Sequence, residues 1–209
     1  MCGVCGILNN NWLCAKCEIL LKKNSKNEII NIHNNNNNEI EFKYFDELIY
    51  IFKYEDVIRK LIIDYKFRDN SYKYKTFVNF LIKNEKIFEK IKSYDTIIAV
   101  PISKKRKRER GYNQSLLIAR EIAVRTKVPL LMNCLYKTRN IIEQSKLNKE
   151  QRDENIKGAY ELRNMQIISN KKVLLIDDVY TTGNTVNECS KMLRQGDVDK
   201  IGILVLAKD

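Results

Sequence analysis

The stretch that most constrains this chain is Val173-Leu-Leu-Ile-Asp-Asp-Val-Tyr-Thr-Thr-Gly-Asn-Thr185. Val173 to Ile176 is an unbroken apolar run, which predicts a buried central strand. Asp177 and Asp178 follow at its carboxyl end, where open α/β sheets bind their ligands. Val186, Cys189, Ser190 and Leu193 then recur at helical spacing, so the loop between opens a helix. The loop has two chemical halves. The acidic pair accepts hydrogen bonds from vicinal hydroxyls. Thr181, Thr182, Gly183, Asn184 and Thr185 offer hydroxyls and backbone N–H groups at a helix N-terminus, which suits a phosphate. Carboxylates and phosphate repel unless a spacer separates them, and a ribose 5-phosphate is such a spacer.

The remainder reads as alternating strands and helices, which predicts a mostly parallel sheet. Phe45 to Phe52, Tyr94 to Val100, Leu130 to Tyr136 and Ile201 to Leu206 read as strands, the second stopped by Pro101. Tyr54 to Phe67, Phe77 to Phe88 and Ser115 to Thr126 read as helices. Residues 143–157 are charged and read as helical or irregular. The 209 residues suffice for one such domain and a small appendage. No run of 18 apolar residues and no secretory pattern is found, so the expected location is the cytoplasm, without membrane insertion.

That compartment keeps thiols reduced, so clustered cysteines signal metal. Cys2-x-x-Cys5 and Cys14-x-x-Cys17 have the spacing of a structural zinc ribbon or knuckle, with all four positions taken by sulfur. Met1-Cys2-Gly3 also has the look of an N-terminal cysteine nucleophile, but that chemistry needs a domain of its own, and a polar stretch from Asn24 to Asn38 begins too early. The Asn-rich stretch, including His33, reads as loop or linker. The expected organisation is a Cys₄ zinc ribbon over 1–22, a polar linker over 23–44 and an α/β domain over 45–209.

Formal net charge is +12, which suggests polyanionic partners. Six of the seven residues from Lys104 to Arg110 are cationic. They follow the predicted strand and Pro101-Ile-Ser-Lys104. A mobile basic loop of Arg106, Arg108, Arg110, Tyr112, Asn113 and Gln114 covers either a diphosphate or a nucleic-acid backbone. Tyr112 either stacks a base or packs the loop.

Residues 173–185 resemble the signature of type I phosphoribosyltransferases, which bind phosphoribosyl pyrophosphate (PRPP) with magnesium. The resemblance implies that fold. Asp177 and Asp178 would hold the ribose hydroxyls, Thr181 to Thr185 the 5-phosphate and Pro101 to Lys104 the pyrophosphate. The order of parts is closer still to the ComF family of competence-associated, GntX-like proteins. Those parts are two Cys pairs, Lys66-Phe67, Arg110-Gly-Tyr-Asn-Gln114, Gln144-x-x-Leu147, Arg152-x-x-Asn155-x-x-Gly158-x-Tyr160 and the loop. That resemblance implies a role in DNA uptake during natural transformation with a competence helicase as partner, while the +12 charge, the basic loop and the zinc knuckle point to contact with single-stranded DNA. Three readings follow. The first is a PRPP-binding uptake factor. The second is an active transferase that displaces pyrophosphate from PRPP with a small base or amine, with Asp177 and Asp178 as its catalytic carboxylates. The third is a zinc-knuckle interaction protein.

Overall fold

The computed structural model describes residues 1–8, 11–32, 43–67, 70–138 and 158–209. The Asn34–Asn38 run, His33, Gln144, Leu147, Arg152 and Asn155 lie outside the described residues. Helix α1 (Ala15–Asn24) leads into strand β1 (Ser25–Asn31). Strand β2 (Glu47–Lys53) is followed by three helices, α2 (Asp56–Phe67), α3 (Lys73–Ile82) and α4 (Glu85–Lys92), and then by β3 (Thr96–Ala99). Helices α5 (Lys104–Arg110) and α6 (Gln114–Thr126) cross to β4 (Leu130–Leu131). Strands β5 (Leu135–Lys137) and β6 (Tyr160–Leu162) form a separate antiparallel pair. The chain closes with β7 (Lys172–Tyr180), α7 (Asn184–Arg194) and β8 (Lys200–Lys208).

Among the described residues the main sheet has the order β1-β2-β8-β7-β3-β4, parallel except for the edge pair β1–β2. Its central strand carries no solvent-exposed face: Val173, Leu174, Leu175 and Ile176 are all fully buried. That is why this strand reads as a continuous apolar run rather than an alternation. Successive residues serve opposite layers. Leu174 and Ile176 join Ile58, Ile62, Tyr65, Phe77 and Ile118 in one apolar cluster. Val173 and Leu175 join Val186, Cys189, Leu193, Tyr160 and Leu162 in the other.

Four local readings are corrected. The basic segment is not a loop but helix α5: Ser103 caps it by accepting from the Arg106 N–H at 3.2 Å, and Gly111 ends it in the left-handed region at φ 77°. The stretch Phe77 to Phe88 is two helices, because the Asn84 side chain accepts from the Ile87 N–H at 3.0 Å and starts a new one. Leu130 to Tyr136 divides between β4 in the main sheet and β5 in the hairpin. Within the stretch read as loop or linker, residues 25–31 form an edge strand, whose Ile29 and Ile30 pair with Ile49 and Leu48.

The N-terminal cysteine segment packs on α3. Cys2, Leu13, Cys17 and Leu21 share the first apolar cluster. The Thr76 hydroxyl donates to the Trp12 carbonyl at 2.8 Å, and a Cβ on Gly3 would lie 2.1 Å from Thr76 Oγ1. A glycine is therefore required there by the approach of the helix.

Candidate ligand pocket and metal centre

From β3 the chain runs outward to β4 on one side, whereas β7 and β8 lie on the other. The reversal falls between β3 and β7, and crevices of this kind form at the carboxyl ends of the strands flanking such a switch point. A cavity of about 220 Å³ opens there. It is lined by Val100, Pro101 and Ile102 after β3, Asp177 to Val179 and Thr181 of β7 and its turn, and Thr185 of α7. Lys66, Arg106, Arg110 and Lys137 bring four cations to the same walls, against the two carboxylates Asp177 and Asp178.

The acidic pair is held from two directions. Ser115 Oγ donates to Asp177 Oδ1 at 2.9 Å, and the Asp178 N–H donates to the same oxygen at 2.9 Å. Lys66 Nζ lies 2.9 Å from Asp178 Oδ1. Burial, and then the neighbouring charge of Asp178, push the Asp177 carboxyl up to about 7.

The turn after β7 encloses a recess lined by Thr181, Thr182, Gly183, Asn184 and Thr185. Gly183 sits at φ +79°, and a Cβ there would lie 2.3 Å from the Tyr180 hydroxyl. Conformation and space both demand glycine.

Helix α5 divides its cations. Arg106 and Arg110, one turn apart, line the cavity, whereas Lys104, Lys105, Lys107 and Arg108 are exposed. Lys104 and Arg108 are thus not brought to the cavity wall. Ser103 is engaged as the helix cap. Tyr112 packs: its ring lies 5.9 Å from that of Tyr65, and its hydroxyl donates to the Tyr65 carbonyl. Asn113 caps α6, accepting from the Leu116 N–H at 3.4 Å and donating to the Val100 carbonyl at 3.0 Å. Gln114 is fully buried at the cavity wall, and Tyr65 Oη donates to its carbonyl at 2.8 Å.

Lys66, Ser115, Lys137 and Tyr160 line this cavity but were not expected as site residues. Lys66 and Tyr160 belong to the motifs Lys66-Phe67 and Gly158-x-Tyr160, so the sequence carries a signal for them. Ser115 and Lys137 carried none. A second, mostly apolar cavity of about 470 Å³ adjoins the first across Pro101 and Ile102, and Tyr112, Asn113, Leu116 and Met132 line it.

At the N-terminus the sulfurs of Cys2, Cys5, Cys14 and Cys17 all lie within 4.8 Å of one another. Four thiolates on two short turns fit a tetrahedral structural zinc. Such an ion would tie the first turn to the start of α1.

A doubly wound sheet with an Asp pair and a Thr/Gly turn at its switch point defines the type I phosphoribosyltransferase fold, here with an N-terminal cysteine cluster compatible with a zinc ribbon. A family model described as "Phosphoribosyl transferase domain" matches residues 113–209. Competence protein F of Haemophilus influenzae is 30% identical over 78% of this chain and 73% of that protein. Competence protein ComFC of Streptococcus pneumoniae is 30% identical over 69% of this chain and 60% of that protein. DNA utilization protein YhgH of Escherichia coli K12 is 27% identical, and the match spans 54% of this chain and about half (49%) of that relative. Among solved structures, a purine phosphoribosyltransferase from Pyrococcus horikoshii aligns with a TM-score of 0.40 at 12% identity, over 66% of this chain and 84% of that one. The chain belongs to the ComF family. No helix among the described residues is long and apolar enough to cross a membrane.

Proposed function

We propose that this protein binds PRPP, as its magnesium complex, in the cavity between β3 and β7, and acts in DNA uptake during natural transformation. The observation that carries the reading is the cavity's chemistry: an Asp pair beside a Thr/Gly turn, faced by Lys66, Arg106, Arg110 and Lys137. In this reading Asp177 and Asp178 accept from the ribose hydroxyls. The turn from Thr181 to Thr185 cradles the 5-phosphate, and Pro101 and Ile102 with Arg106 and Arg110 serve the diphosphate. Magnesium supplies charge neutralisation at the diphosphate.

The test is isothermal titration of zinc-replete protein with PRPP and magnesium, beside Asp177→Ala/Asp178→Ala. Saturable heat that the variant loses supports the reading. Absence of heat in the unmodified protein sinks it.

The relatives' names, competence and DNA utilization proteins, support a role with DNA, and the exposed cationic face of α5 supports contact with a single strand. Replacing Lys104, Lys105, Lys107 and Arg108 by Gln should weaken binding of an oligonucleotide and flatten its salt dependence, while PRPP binding persists through Arg106 and Arg110. Equal DNA affinity and salt slope in the two proteins would remove α5 from the DNA surface. A competence helicase is the proposed protein partner, to be tested by co-purification.

One observation favours a transferase as a second reading: Asp177, raised to about 7, can exchange a proton near neutral pH inside the cavity. That reading requires pyrophosphate release from PRPP that depends on both an acceptor base or amine and Asp177.

A further inference from the structure

Lys137 stands on β5, opposite Tyr160 of β6, and both line the cavity. Its ammonium donates to the Tyr160 hydroxyl at 3.2 Å and lies 5.0 Å from that ring's centroid. Thr185, in the turn that starts α7, is within hydrogen-bonding reach of the same Tyr160 oxygen. The hairpin therefore holds a lysine next to the turn, which itself contains no cation. Lys137 makes no ion pair with a carboxylate among the described residues, unlike Lys66 in the same cavity.

The groups facing it are Arg106 from α5, Asp177 from β7, Cys189 from α7 and Tyr160 from β6. Burial, and then the charge of Arg106, push the amine down to about 8. Asp177 opposes this shift, but burial holds Asp177 itself up to about 7. No carboxylate among the described residues lies at ion-pair distance from this amine, and a bound phosphate would supply a direct counter-charge.

We propose that Lys137 is a ligand-contacting cation of the phosphoribosyl pocket, and that an anionic phosphate docks together with a proton taken from solvent onto this amine. The proposal rests on the PRPP reading above. The proton passes from buffer to Nζ, and no covalent bond changes. Lys137 is thereby excluded as the general base of a transferase, because the phosphate that docks beside it returns it to the ammonium form.

The experiment is calorimetric titration of PRPP with magnesium at pH 8.5, in buffers of different ionisation enthalpy, for the unmodified protein, Lys137→Arg and Lys137→Met. At that pH about three-quarters of the amines are neutral when the folded value is about 8. Arginine stays charged throughout, so Lys137→Arg should bind with less proton uptake, by about 0.5–0.7 proton per site. Proton exchange by Asp177 and by the phosphates is common to both proteins and cancels in the difference. Lys137→Met should bind about 10–100-fold more weakly. Titrating pyrophosphate and ribose 5-phosphate separately identifies the phosphate concerned, since the one meeting Lys137 draws the extra proton.

Equal proton uptake in the unmodified protein and Lys137→Arg, with PRPP bound by both, overturns this proposal and leaves the pocket intact. No PRPP binding by the unmodified protein overturns both. Matching far-ultraviolet circular dichroism in the Arg variant establishes that its fold is unchanged.

Discussion

Asp177→Asn should make the protein more stable at pH 8 while weakening its hold on PRPP. The amide oxygen of the new side chain can still accept from Ser115 Oγ and the Asp178 N–H, both 2.9 Å from the carboxyl oxygen it replaces. What the substitution removes is a negative charge that burial and Asp178 both disfavour. The folded carboxyl rises from the ordinary value of 3.8 to about 7. At about 1.4 kcal/mol per unit the full shift corresponds to ~4 kcal/mol, and the pocket's water and the coupling to Asp178 reduce this to roughly 2–4 kcal/mol. The sign follows from linkage. A folded value raised above the unfolded one gives stability that is complete below pH 4 and is lost as pH rises through about 7. The advantage of Asp177→Asn is therefore small at pH 4.5, grows toward pH 7 and is flat above it. Urea unfolding at pH 4.5, 6 and 8 reads the stabilities, and titration at pH 8 reads PRPP affinity, expected to fall at least about tenfold. A variant less stable than the unmodified protein at pH 8, or an advantage independent of pH, would refute the argument.

Gly183→Ala should cost about 1–3 kcal/mol, from the left-handed backbone and the clash with Tyr180, and should abolish PRPP binding; urea unfolding and calorimetry check both, and an unaltered affinity removes the turn from the phosphate site. Lys66→Met leaves Asp178 without its 2.9 Å partner and should lower stability at pH 8 by about 1–3 kcal/mol. It should also move the pH dependence attributed to Asp177 upward, because Lys66 is one of the groups holding that carboxyl down. Cys14→Ser, or treatment with a strong chelator, should release one zinc and lower the melting temperature, since Cys2, Cys17, Leu13 and Leu21 share a cluster with Tyr65 and Phe77. Protein purified without zinc and melting at the same temperature would dismiss a structural metal.

The parts legible in the sequence were those whose chemistry is local. The run Val173 to Ile176 is apolar because a central parallel strand is covered on both faces, so its burial could be read without knowing its neighbours. The Asp pair, the Thr/Gly turn and the spacing of the four cysteines lie within a few residues of one another, where sequence distance and spatial distance nearly coincide. Helix α5 was legible in principle as well. Ser103 and Gly111 are ordinary cap residues, but the density of charge between them favoured the reading of a mobile loop. What the tertiary structure alone decided is which distant side chains complete the pocket. Lys66 comes from the end of α2, Ser115 from α6, and Lys137 and Tyr160 from a hairpin outside the main sheet. They meet because the strand order reverses between β3 and β7 and turns the ends of all these elements toward one crevice. The same geometry allots Arg106 and Arg110 to the pocket and their neighbours on α5 to solvent. No count of positive charge along the chain contains that division, because it depends on which face of the helix turns toward the cavity.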